Sequence, residues 1–229
     1  MEYRVDTQAA YILHLRPYLE TSAIVDFFTL NNGRVSAVVK GIRRPRSKLK
    51  GVLQPFVPLQ ISWQGKQELK TLIHAEAVGL NGILQGNALM CGLYVNELMQ
   101  RQLSPFDPHP KLYVYYQYVL NELLSGEDIQ GALRTFERRL LSETGFGLPL
   151  SDIQPLDVYL FNMEQWCFER VSQVPDPLRR FAFRGQDLLA IAADCYDTPA
   201  QQQAAKRLMR LAIDHLLADR PLRSRALFQ

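Results

Sequence analysis

No apolar stretch in the 229-residue chain approaches the roughly 18 residues that a membrane span needs. Its first residues, Met1-Glu2-Tyr3-Arg4-Val5-Asp6, carry acids, and no apolar run follows a basic start, which argues against a secretory signal. Cysteine is scarce. Cys91, Cys167 and Cys195 are odd in number and far apart, so a disulfide framework is not expected and a reducing cytoplasm is the simplest setting. Neither Cys167 nor Cys195 has a second cysteine two residues away, as the knuckles of a four-cysteine zinc site require. His14, His74, His109 and His215 stand alone, without a His-Glu-x-x-His pair. There is no Gly-rich phosphate loop ending in Lys-Ser/Thr and no Gly-x-Ser-x-Gly elbow. Asp26 and Glu76 fall in expected strands, but no carboxylates cluster as a two-metal nuclease requires. The residues therefore describe a binding module, with no catalytic residue, metal or cofactor expected.

One further absence is local. Between Phe27 and Gln67 there is no acidic residue, while the same window holds Arg34, Lys40, Arg43, Arg44, Arg46, Lys48, Lys50 and Lys66. The net charge of +3 hides this segregation. Residues 1–80 carry 11 Lys/Arg against 6 Asp/Glu, and the rest carries 15 against 17, so the basic excess sits wholly in the first third. A segregated charge of this kind points to a polyanion surface.

The first 80 residues read as five short strands. Ala9–Leu15 alternates Tyr11, Leu13 and Leu15 on one face. Ser22–Thr29 is β-branched and aromatic, and Asn31-Asn32-Gly33 turns it into Arg34–Lys40. Val57–Trp63 and Glu68–His74 form a second hairpin around Gln64-Gly65-Lys66-Gln67. Five strands at this spacing imply a small closed barrel. Asn81-Gly82 marks the expected boundary to a helical domain over 81–229. Ala88–Leu103, apolar almost all round, is expected in the helical core. Leu112–Leu124 and Gly131–Glu143 follow, the latter with Leu133, Phe136 and Leu140 on one face and Arg134 and Arg138 on another. Pattern fades over about 147–184, read as a loop-rich insertion with a hairpin or short helix. Thr198-Pro199-Ala200-Gln201 reads as a capping box opening a helix to about Leu217, with Ala205, Leu208, Met209, Ala212 and Leu216 inward. A short basic tail, 219–229, completes the chain. The fold class is thus α+β: a barrel followed by helices.

The segment 40–50 is expected to be a flexible basic loop at the barrel mouth, able to follow a phosphate backbone. Phe56 and Trp63 could offer stacking platforms, although apolar aromatic positions in strands are usually buried. Solvation of an ordinary basic loop is the competing reading.

Glu20-Thr21-Ser22, Phe28-Thr29, Gly33-Arg34-Val35, Val39-Lys40-Gly41, Leu49–Phe56 and Leu69-Lys70-Thr71-Leu72 resemble, in that order, the amino-terminal barrel of the RecO family. Gly92–Leu98, Leu133–Glu137 with Leu140-Leu141, and Pro221–Phe228 resemble its helical part, so the resemblance covers essentially the whole chain. It implies a five-stranded OB barrel on a helical domain and a cytoplasmic, nucleoid-associated protein. It implies binding of single- and double-stranded DNA, annealing, association with RecR, capture of the acidic SSB tail, and help in loading RecA. Many members carry a four-cysteine zinc module where this chain has Cys167 alone, so no zinc is expected. Arg34, Lys40, Arg43, Arg44, Arg46, Lys48 and Lys50 are the expected phosphate contacts. An acidic peptide with an apolar end calls for an apolar pocket rimmed by Arg. Tyr94, Leu98, Arg134, Phe136, Arg138 and Leu140, with Arg139 beside them, are the candidates. Barrel and loop alone leave open an RNA-binding OB protein and a protein-only adaptor; a nuclease would need the carboxylate cluster that is missing.

Overall fold

The computed structural model describes residues 3–79, 82–218 and 221–228. The boundary expected at 80–81 and the junction at 219–220 lie outside the described residues. Two compact units are present, Met1–Ser125 with Leu222–Gln229, and Gly126–Pro221.

In the first unit, β1 (Arg4–Tyr18), β2 (Ser22–Thr29), β3 (Gly33–Val39), β4 (Leu59–Gln64) and β5 (Lys70–Ala77) close a barrel in the order β1-β2-β3-β5-β4, with the four-residue α1 (Leu49–Val52) between β3 and β4. This is an OB-type barrel. β1 is longer than its apolar core predicts because it serves two neighbours. Residues Arg4 to Ala10 pair with β4 and Ala10 to Tyr18 with β2. Register shifts between Val5 and Gln8 and between Ile12 and His14 bend the strand around the barrel, as bulges do. At the first shift Thr7 has a positive φ of 53°, and its N–H donates to the Ser62 hydroxyl at 3.0 Å.

The face of β1 that fills the interior is Ala10 and Ile12, not the Tyr11, Leu13 and Leu15 face read in the sequence: Tyr11 and Leu13 are buried outside the barrel core and Leu15 is 39% exposed. Ala23, Val25 and Phe27, Val35, Ala37 and Val39, and Leu59, Ile61 and Trp63 form the barrel core with Val5, Ala10 and Ile12. β2 is buried on both faces. Outside the barrel, Tyr11 and Phe28 meet Tyr113 and Tyr116 of α3 (Pro110–Ser125), with ring centroids 5.0–6.1 Å apart. Asp26 accepts from the Ser36 hydroxyl and, at 2.9 Å, from Gln100 Nε2 of α2 (Gly86–Gln102).

α2 therefore groups with the barrel, where a place in the helical core was expected. Its buried stripe is Cys91, Tyr94, Val95, Leu98 and Met99, while Leu89 and Leu93 on the opposite side stay partly exposed. Buried Asn96 donates from Nδ2 to the carbonyls of Ile12 and Leu13, at 3.1 and 3.2 Å, where the second register shift interrupts the ladder. Glu97 accepts from the N–H groups of Arg223 and Ser224, at 3.0 and 2.8 Å, holding a 3-10 helix (Arg223–Phe228) on α2.

The second unit contains α4 (Ile129–Glu143), β6 (Val158–Asn162), β7 (Cys167–Val171), a 3-10 helix (Asp176–Phe181), β8 (Ala182–Arg184), α5 (Gly185–Ala192) and α6 (Pro199–Leu217). The region expected to be loop-rich is a three-stranded sheet in the order β7-β6-β8. Its hairpin is held by rings: Phe161 stacks on Phe168 at 4.9 Å and meets Trp166 edge-on at 5.4 Å. Trp166 Nε1 donates to the Gly147 carbonyl at 3.1 Å. α6 opens with the capping box: Thr198 Oγ1 accepts from the Gln201 N–H at 3.3 Å, and Gln201 Oε1 from the Thr198 N–H at 3.0 Å.

Candidate nucleic-acid interface

The basic segment leaves the end of β3 at Lys40. A few apolar residues set among the basic ones determine its course. Ile42 enters the barrel core, as does Leu53, and Leu49 packs against that core. The residues between these anchors, Arg43, Arg44, Arg46, Lys48 and Lys50, are exposed, as is Lys40. Gly41, with φ +69°, makes the first reversal. Successive turns follow, with N–H to carbonyl bonds from Arg44 to Gly41, Ser47 to Arg44 and Gly51 to Lys48, each 3.2 Å long. The chain then closes into α1. A flexible loop was expected; the structure has a short series of bonded turns pinned at Ile42 and Leu53. The pinning presents the cations as a fixed group, which lowers the ordering cost of binding.

Among the described residues, no hydrogen bond or ion pair engages the side chains of Lys40, Arg44, Arg46, Lys48 or Lys50. Arg43 differs. Its N–H donates to the Thr21 carbonyl at 2.9 Å, and its Nη1 to the Leu19 carbonyl at 3.1 Å. Arg34 differs further. It is the second residue of β3 while Lys40 follows the strand's end, a separation of roughly 20 Å at ~3.3 Å per residue. Arg34 Nε donates to the Leu103 carbonyl at 3.1 Å, and the Arg34 carbonyl accepts from the Phe106 N–H at 3.0 Å. The structure thus gathers six of the seven expected cations and sets Arg34 apart, where it ties the chain after α2 to the barrel.

Trp63, in β4, is 1% exposed within the barrel core, and Phe56, in the turn before β4, is 7% exposed beside Gly92 of α2, so both are buried, the alternative to stacking platforms. An aromatic side chain next to the basic turns is Tyr18, which the sequence reading did not single out. It closes β1 against Ser22, and Leu19 follows it in the turn. The signal available was an aromatic-apolar pair placed directly before a hairpin turn.

The residues expected to hold an acidic tail fall in both units. In the first, Tyr94 and Leu98 are buried. In the second, Phe136 and Leu140 are buried, Arg134 Nη2 pairs with the buried Glu137 at 3.0 Å, and Arg138 holds Asp194 through two nitrogens, the Nε contact being 2.7 Å. Arg139 Nη2 reaches the same Asp194 at 2.7 Å. Partial burial opposes the Arg138 charge, but the bonds from Asp194 outweigh it and raise its pKa further.

The residues do not fit the four-cysteine zinc module that the resemblance associates with many of its members. Cys167 Sγ lies 3.8 Å from Gln165 Oε1 and Cys195 Sγ lies 2.9 Å from an Asp197 carboxylate oxygen. Among the described residues no three His, Cys, Asp or Glu come together to hold a metal ion, and no helix is long and apolar enough to cross a membrane.

Comparison with known proteins places these features. The family model "Recombination protein O N terminal" matches residues 1–81, and "Recombination protein O C terminal" matches residues 84–152. The chain is 43% identical over 233 residues to a DNA repair protein RecO of Methylococcus capsulatus, covering 99% of this chain and 94% of that one. It is 41% identical to those of Ralstonia nicotianae (98% and 84% covered) and Nitrosospira multiformis (99% and 96%).

Proposed function

Because the chain belongs to the Recombination protein O family, we propose that it serves DNA repair as a non-catalytic recombination mediator. In this reading it binds single- and double-stranded DNA, anneals complementary SSB-coated strands and, with RecR, helps load RecA. It would do so in the cytoplasm, at the nucleoid. The observation that carries the reading is the pinned group of Lys40, Arg43, Arg44, Arg46, Lys48 and Lys50 on the outside of an OB barrel, in a window without acids.

The chemistry is electrostatic. Cations without an internal partner can accept phosphates and release counterions, at roughly 0.7 per single-strand contact. The five such side chains, all engaged, correspond to a log–log salt slope of roughly −3.5. Annealing needs no covalent step: two polyanions neutralised on one surface repel each other less and meet at higher local concentration.

The test is annealing of complementary SSB-coated oligonucleotides across a salt series, without ATP or added metal. Annealing that fades with salt, and with Ala at Arg44, Arg46 and Lys48, supports the mediator. A folded protein that binds SSB yet neither DNA nor annealing substrates is the adaptor; preference for matched RNA over DNA turns the reading to RNA.

Capture of the acidic SSB tail belongs to the same proposal. Arg134 and Arg138 would supply charge in the second unit, in competition with Glu137 and Asp194, which hold them now. Asp194→Asn, which weakens the hold on Arg138, is expected to tighten binding of a tail peptide. Unchanged affinity removes Arg138 from the site.

A further inference from the structure

Phosphate contacts alone give a single strand no advantage, because a duplex carries its backbone charge at the higher linear density. A surface that handles single strands selectively must also meet what a duplex hides, the faces of the bases. Trp63 is sealed in the barrel core and Phe56 is buried beside Gly92 of α2, so another group has to supply that contact.

We infer that the tip of the β1–β2 hairpin, Tyr18 and Leu19, is the base-contacting element of this interface, and that Arg43 is its positioning residue. The inference rests on the nucleic-acid reading above.

Four observations converge on the tip. First, it stands beside the basic turns and is bonded to them: Arg43 N–H donates to the Thr21 carbonyl at 2.9 Å and Arg43 Nη1 to the Leu19 carbonyl at 3.1 Å. One residue of the basic segment thus holds two carbonyls of a three-residue turn. Second, Tyr18 is 38% exposed and Leu19 72%, so an aromatic side chain partly open to solvent stands next to a largely exposed apolar one. Third, Leu19 has a φ of +52°, a left-handed conformation that a leucine adopts at a cost. The bond from Arg43 helps hold that conformation, which keeps the leucine outward. Fourth, the surrounding charge favours a polyanion. Arg16, Arg43, Arg44 and Arg46 are exposed in these two segments, against the single acid Glu20.

The chemistry that fits is a single-stranded oligonucleotide. Its phosphates lie on Arg44, Arg46 and Lys48, one base stacks on the Tyr18 ring, and Leu19 enters between neighbouring bases as a wedge. A duplex keeps the phosphate contacts and loses the stacking. Arg43 spends its guanidinium on the turn, so its loss acts on the single strand through the tip.

The experiment measures full-length protein against a fluorescent oligo-dT and a duplex of equal length, by anisotropy across a salt series. Tyr18→Ala is expected to weaken oligo-dT by roughly 5- to 100-fold with its salt slope unchanged, and to leave duplex affinity within about twofold. Tyr18→Phe keeps the ring and the affinity. Arg43→Ala is expected to reproduce the single-strand loss. Tyr18→Trp adds a fluorophore that oligo-dT quenches. Wild-type affinity of Tyr18→Ala for oligo-dT, or an equal loss on the duplex, overturns the inference. The electrostatic reading fails separately, by an unchanged salt slope in the Arg44→Ala, Arg46→Ala double variant.

Discussion

The Tyr116 hydroxyl donates to Asn96 Oδ1 at 2.6 Å, and through that bond one side chain of α3 fixes the amide that mends the broken edge of β1. Asn96 then points Nδ2 at the carbonyls of Ile12 and Leu13, where the register passes from the Ile12–Phe27 pair to the His14–Asp26 pair and skips Leu13. Burial pushes the Tyr116 hydroxyl well above the ordinary phenol range, with Tyr11 and Tyr113 adding to the effect, so it stays protonated and donating.

Breaking this relay orphans buried groups. Asn96→Ala is expected to lower stability by about 2–4 kcal/mol, since two buried carbonyls lose the Asn96 amide and the Tyr116 hydroxyl loses its bond to Asn96. Tyr116→Phe should cost about 1 kcal/mol, and the double variant less than the sum. Denaturant titration of the four proteins checks this; strict additivity would mean the two side chains act independently.

Gly33 has a φ of +64°, and a Cβ there would lie 2.0 Å from the backbone oxygen of Asp107, which cannot swing aside. Gly33→Ala is expected to cost more than about 2 kcal/mol and lower Tm by at least about 5 °C. Gly126, with φ +75° and open space around it, isolates the conformational part. Gly126→Ala should cost about 1 kcal/mol. Thermal melts that rank the two equally would contradict the steric account.

Glu97 makes the hold on Arg223–Phe228 pH-dependent. Its burial favours the neutral acid, but the N–H groups of Ser224 and Arg223, together with Arg101, outweigh this and depress its pKa. A carboxyl depressed in the folded state stabilises above its unfolded value of about 4.3, and that contribution is lost as pH falls through the folded value. Exchange at the Arg223 and Ser224 amides, corrected for intrinsic rate, should therefore accelerate below about pH 4. Glu97→Gln should show the faster exchange already at neutral pH. Protection equal to wild type in that variant would rule out the carboxylate as the clasp.

Arg34 and the loop cations should part company in a salt titration. Arg34→Ala is expected to lose about 1 kcal/mol of stability, from its bond to Leu103, with little change in salt slope. Arg44→Ala with Arg46→Ala should keep stability and flatten the slope by roughly 1.4. A slope change for Arg34→Ala matching one lost contact would return it to the interface.

Much of the barrel is legible in the sequence because its signals are local. Ser22–Thr29 and Asn31-Asn32-Gly33 announce a strand and its turn, and Thr198 with Gln201 announces a helix start. β1 is harder: its outer residues His14 to Tyr18 are exposed, so the apolar pattern stops while the pairing to β2 continues. α5 has eight residues, starts at glycine and has no side-chain cap, so little marks it before Leu188 and Ile191 are buried. The interface was legible as charge but not as geometry. That Arg138 belongs to Asp194, or that Arg43 belongs to Leu19, depends on which distant backbone the fold brings within reach.

The first unit is completed by residues that follow the whole second unit in the chain. During synthesis the barrel, α2 and α3 leave the ribosome early, and domains generally fold in that order. Glu97 must wait for Arg223 and Ser224 until everything between has been translated. The nascent barrel therefore passes through a stage in which α2 is docked on β1 but unclasped, and the clasp reports that translation has passed beyond the second unit.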